Sequence, residues 1–175
     1  MPPRMPPREP ARKLPQRAQA ARHLPRKFLV IVDGSAEEKH ALRYAARRMA
    51  QLGGTIALLA VLEPEGIAHW LGVTGLMRAD ARKAARRVLN ARAKTVQTIC
   101  ARTPETLIRE GEKVESILAL LDEDKSISTL ILAASDESNS PGPLIEALAR
   151  GTTRFPIPVT IVPAGMSEDA LDALT

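Results

Sequence analysis

Asp33-Gly34-Ser35 follows directly on the apolar run Phe28-Leu29-Val30-Ile31-Val32. A carboxylate at the end of a buried strand can accept a hydrogen bond from a ribose hydroxyl or an adenine amine. A loop aspartate can equally bond its own nearby amides. Both readings of Asp33 stay open, because the strand end is also where open parallel sheets place their ligands. A second candidate is Ser135-Asp136-Glu137-Ser138-Asn139-Ser140-Pro141-Gly142-Pro143. A phosphate cradle needs glycine amides at a helix start. This stretch offers one glycine, two prolines without amides and two acids that repel phosphate, so it reads as a polar loop into a helix.

Other chemistry finds little to work with. Cys100 is the single cysteine, which excludes a disulfide framework and a thiolate metal site. It reads as a semi-buried structural thiol. His23, His40 and His69 are scattered, which argues against a histidine metal centre. His40 is expected to be exposed. No nucleophile, base and oxyanion set stands out, so no catalytic residues are expected. Arg82, Lys83, Arg86, Arg87, Arg92 and Lys94 crowd one stretch. Such a run could grip a polyanion, but the solvated face of an amphipathic helix is the simpler reading.

The elements that must position these residues alternate. Phe28–Val32 and Thr55–Leu62 are buried strands with a helix between them. In that helix Ser35 is the expected cap, with Glu38 completing a capping box. Leu42, Ala45, Met49 and Leu52 form its stripe, and Gly53-Gly54 stops it. A loop over 63–75 leads to a basic helix over about 76–101. Met77, Ala81, Ala84, Val88, Ala91, Val96 and Ile99 are read as its stripe, with Cys100 beside it. Thr106–Arg109 is a strand, Val114–Leu121 a helix, Thr129–Ala133 a strand, Pro143–Arg150 a helix and Pro158–Val162 a strand. A last turn over 167–171 is expected. Strands alternating with helices predict an α/β doubly wound sheet.

The charge is uneven. Residues 1–26 hold seven basic groups, one acid and seven of the 14 prolines, whereas the remainder holds 18 basic and 19 acidic groups. The first segment therefore carries +6 and the remainder −1, which together give the formal charge of +5. That segment lacks apolar periodicity and is expected to be disordered. Any nucleic-acid contact is expected to be weak and to run through it. The body is expected over 27–164, with a short extension over 165–175. No run approaches 18 apolar residues and no charged start followed by an apolar stretch marks a secretory signal, so a cytoplasmic protein off the membrane is expected; the Arg-rich, acid-poor start also resembles an organelle transit peptide.

These residues resemble the universal stress protein family over roughly 27–164. The likeness is clearest in Phe28–Ser35, followed by Ala41-Leu42-Arg43-Tyr44-Ala45-Ala46. Leu58–Pro64 is similar to the family's second strand, Ile108–Glu112 to its strand-and-glycine element, and Pro156–Val162 to its last strand. The resemblance implies an open five-stranded parallel sheet of order 3-2-1-4-5 with helices on both faces, Rossmann-like and similar to the adenine nucleotide alpha hydrolases. It implies a non-enzymatic stress-response role and a homodimer paired through Val159, Thr160, Ile161 and Val162. It places a nucleotide crevice at Asp33, Val61, Ala134 and Ser135. The family's nucleotide binders carry glycines after strand four, where this chain has Ala134 and Glu137, and Ile145-Glu146 stands near their Gly-Ser position. No bound cofactor is therefore expected, and at most weak adenine nucleotide. The alternative is a nucleotide-responsive switch using the Asp33 and Val61 crevice.

Overall fold

The computed structural model describes residues 24–63, 78–134, 142–151 and 155–175. In chain order the elements are β1 (Lys27–Ile31), α1 (Glu38–Leu52), β2 (Thr55–Leu62), α2 (Arg78–Cys100), β3 (Glu105–Glu110), α3 (Lys113–Glu123), β4 (Ile127–Ala134), α4 (Pro143–Ala149), β5 (Val159–Pro163) and α5 (Glu168–Leu174). The strands form one parallel sheet of order β3-β2-β1-β4-β5. Lys27 faces Thr55 of β2 on one side and Ile127 of β4 on the other, with a register irregularity after Lys27 in the β4 pairing. Residues 1–23, expected to be disordered, and residues 64–77, which hold most of the expected loop, lie outside the described residues.

The unbroken apolar runs of β1 and β2 follow from helices on both faces. Alternate side chains divide between two cores. Phe28, Val30, Leu58 and Ala60 pack with α1, α2 and Leu171 of α5. Leu29, Ile31, Leu59 and Val61 pack with Ile117 and Leu121 of α3 and Leu144 of α4. Two stripes differ from the periodic reading. On α1, Leu52 is exposed, and Ala41 and Ala46 join Leu42, Ala45 and Met49 inside. On α2 the buried line is Ala81, Ala85, Leu89, Val96 and Cys100, so Cys100 lies on the stripe while Ala91 is exposed. Gly54 lets the chain turn into β2. Its φ is +107°, and a Cβ there would lie 2.2 Å from the Arg26 carbonyl oxygen. Among the described residues no helix is long and apolar enough to cross a membrane.

Two ion-pair clusters tie distant segments together. Lys27 Nζ lies 2.7 Å from Asp124 and 2.8 Å from Glu105. Burial opposes its charge, but the hydrogen bonds to Asp124 and Glu105 prevail and its pKa is raised. Asp124 is likewise disfavoured by burial, yet the Lys27 and Ser126 hydrogen bonds hold its pKa below the ordinary value. At the other end, the expected last turn is the helix α5, capped by the Ser167 hydroxyl, which accepts from the Ala170 amide at 3.2 Å. Asp172 of α5 receives forked hydrogen bonds from Arg43 and Arg47 of α1. The Arg43 hydrogen bonds, aided by Arg47, lower its pKa.

These depressed carboxyls set an acid limit. A lowered folded-state pKa contributes stability above the unfolded value, here near 3.8, and loses it as pH falls through the folded value. Urea midpoints should therefore drop as pH falls below about 4, through the lowered values of these two groups. Asp124→Asn and Asp172→Asn should start lower at pH 7 and lose less on acidification. Parallel pH profiles for wild type and both variants would contradict this. Lys27 acts in the opposite sense: its contribution is present below its ordinary 10.5 and fades as pH rises through its raised value.

Candidate functional site

In the order β3-β2-β1-β4-β5 the chain reverses direction across the sheet between β1 and β4, and a crevice opens at their carboxyl ends. Its floor is apolar, from Ile31, Leu132, Ala133, Leu144 and Ile145. Its polar side chains among the described residues are Asp33, Glu38 and Lys113, and Gly142 closes one side. The space, counted with the solvent it opens onto, is about 410 Å³, so it is a shallow, open crevice and not an enclosed cavity.

The β1–α1 turn builds the polar wall. Asp33 Oδ1 accepts from the Ser35 amide at 3.0 Å, the local Asx bond that was one of its two readings. Ser35 is not the helix cap. The helix starts at Glu38, and Glu37 at the cap position makes no side-chain cap bond. Glu38 does reach back, but farther than a capping box would. Its Oε2 accepts from the Asp33 amide at 3.0 Å and the Gly34 amide at 2.9 Å. Its Oε1 pairs with Arg92 Nε of α2. Glu38 is 1% exposed, a buried carboxylate fully engaged from two sides. The two amides that would greet an anion at this strand end are thus already bonded to an anion of the chain itself.

Lys113 opens α3 on the far side. Its Nζ lies 3.4 Å from Glu63 Oε2, and its amide donates to Glu63 Oε1 at 3.3 Å. That cation is therefore directed to an internal acid as well. At the β4 side, Gly142 has φ +97° and precedes Pro143, and Glu146 stands in the first turn of a helix of seven residues. A helix opening on proline and glutamate offers little to phosphate.

Among the expected site residues, Asp33 lines the crevice, and Ala134 closes β4 next to the lining Ala133. Val61 sits near the carboxyl end of β2, but its side chain is 4% exposed and packs in the core beneath. Ser135, with Asp136 and Glu137, lies outside the described residues. The sequence reading missed Glu38 as an amide acceptor, Lys113, and the Leu144-Ile145 wall. The Ser-x-x-Glu pattern was the available signal for the first; the other two arise only when α3 and α4 fold onto β1 and β4. His40 also departs from expectation: its Nδ1 is buried and has no hydrogen-bond partner among the described residues. Cys100 is a buried thiol, with Sγ 3.9 Å from the Arg102 carbonyl oxygen. Among the described residues no cluster of three or more His, Cys, Asp or Glu side chains could hold a metal. The arrangement sets the carboxylates of Asp33 and Glu38 at the edge of an apolar floor, and it disfavours added negative charge.

The fold recurs in solved structures. Universal stress protein UspA from Lactobacillus plantarum superposes with a TM-score of 0.54 at 16% identity, covering 79% of this chain and 98% of its own. A universal stress protein from Archaeoglobus fulgidus gives 0.58 at 16%, covering 79% and 94%. A universal stress protein solved in complex with cAMP gives 0.60 at 17%, covering 81% and 99%. No curated protein sequence matches significantly. The model of the universal stress protein family matches residues 25–163, which takes in all five strands, and the chain belongs to that family.

Proposed function

We propose that this universal stress protein is a non-enzymatic regulator that works as a homodimer and does not hold ATP in the manner of the family's nucleotide binders. The observation that carries the reading is Glu38, whose carboxylate occupies the Asp33 and Gly34 amides at the mouth of the crevice. A triphosphate there would meet a buried acid in place of free donors, and a desolvated phosphate without partners is costly. The alternative is a switch that reads the nucleoside part of an adenine nucleotide. Asp33 in the crevice wall and the apolar floor favour it, as does the similarity to a family structure in complex with cAMP.

Native mass spectrometry of gently purified protein tests the proposal. The expected spectrum is a dimer free of stoichiometric nucleotide. One equivalent of ATP per protomer would overturn it.

A further inference from the structure

The outward face of α2 is a cationic surface. The helix carries seven basic residues and one acid, Asp80, whereas the rest of the chain from Lys27 onward carries 11 basic and 18 acidic residues. Two of the seven are used internally: Arg92 pairs with Glu38, and Arg82 with Glu110. Lys83, Arg86, Arg87 and Lys94 are exposed and make no ion pair among the described residues. They share the solvent side of the helix, at spacings of three, four, seven and eleven.

We propose that this face docks the phosphate backbone of nucleic acid without reading its sequence. Three observations select that occupant. The cations are unpaired on an otherwise acidic body, so their field is directed outward to a polyanion. Their exposed neighbours are Asn90, Thr95, Gln97 and Thr98, the side chains that accompany Arg and Lys in phosphate and sugar contacts. None of the large exposed apolar side chains among the described residues, Leu24, Leu52, Ile161 and Leu174, lies on α2. Among the described residues the face therefore carries none of the apolar anchors of a membrane-surface helix or of a protein-interface hot spot. The surface also continues toward the basic N-terminal segment. Arg102, just past α2, donates to the Gly54 carbonyl at 3.2 Å, and the neighbouring Thr55 amide donates to the Arg26 carbonyl at 2.9 Å. The segment thus joins the fold beside the end of α2.

Fluorescence anisotropy with the full chain and a labelled 25-base-pair duplex of mixed sequence, in about 50–200 mM salt, tests this. Wild type should bind with an affinity that falls steeply with salt and does not depend on sequence. The variant K83E/R86E/R87E/K94E should bind at least about tenfold more weakly, with a log–log salt slope shallower by about 3–4. The same four positions changed to Gln should give a smaller loss in the same direction and guard against misfolding of the first variant. Lys39→Glu, on exposed α1 surface, should change binding little. Four outcomes would overturn the proposal: no duplex binding by wild type at 50 mM salt, wild-type binding by both four-site variants, loss only when the basic residues of 1–23 are replaced, or equal binding to vesicles containing phosphatidylserine.

Discussion

Glu38→Ala should lower the unfolding free energy by about 3 kcal/mol. Removing one partner of a buried charge pair costs about 3–5 kcal/mol when the other is trapped. Arg92 is 35% exposed and can turn toward water, which places the effect at the lower end. The Asp33 and Gly34 amides also lose their acceptor, but the open crevice lets water replace it. Glu38→Gln should cost less, because the amide oxygen can still accept while its NH2 group faces Arg92. Urea unfolding of the three proteins measures this. A change below about 0.5 kcal/mol for Glu38→Ala, the level of an ordinary surface substitution, would show that the carboxylate does not organise the turn. The same variant bears on function: with its internal anion gone, the turn should admit phosphate more readily, and ATP should bind more tightly than to wild type.

Wild type should sediment as a dimer at tens of micromolar, and Ile161→Pro should sediment as a monomer that remains folded. β5 pairs only with β4 among the described strands, so one of its edges is open. An open edge invites pairing, and antiparallel self-pairing closes on a twofold axis. The Leu130 amide donates to the Pro158 carbonyl at 3.0 Å, and Leu130 is the register partner of Val159. In a parallel ladder this turns the backbone groups of Pro158, Thr160 and Val162 toward β4 and those of Val159 and Ile161 outward. Proline at 161 removes an outward donor, which a partner would need and the monomer does not. Proline at 160 would instead break the ladder to β4 and lower the stability of the monomer. A wild type that sediments as a monomer contradicts the dimer; an Ile161→Pro protein that remains dimeric places its interface elsewhere.

The architecture was legible because each strand is a short β-branched run bounded by Gly, Pro or charge, and β2 begins and ends where its pattern does. Helix faces were less legible where alanine is common. On α2, Ala81, Ala84, Ala85, Ala91 and Ala93 allow several apolar lines, and packing against α1 selects the one through Ala85 and Leu89. The Asp33 position was legible from the strand that precedes it. Its neighbourhood was not, because Glu38 satisfies the local capping pattern equally well whether it bonds Ser35 or the two amides before it. That choice depends on Arg92, 54 residues away, holding the other carboxylate oxygen. Backbone parity along β5 is invisible in sequence for the same reason: only the pairing with β4 defines it.

The account rests on a crevice whose Asp33 and Gly34 amides are already bonded to Glu38, and calorimetry with ATP, AMP and adenosine tests it most directly. ATP should bind with a dissociation constant of about 100 μM or weaker, near −5.5 kcal/mol. Adenosine and AMP should bind no more weakly than ATP, since each phosphate brings charge toward Glu38 without gaining the Asp33 or Gly34 amide. Micromolar ATP binding to wild type that disappears in Asp33→Ala would contradict the account and establish the nucleotide switch in its place.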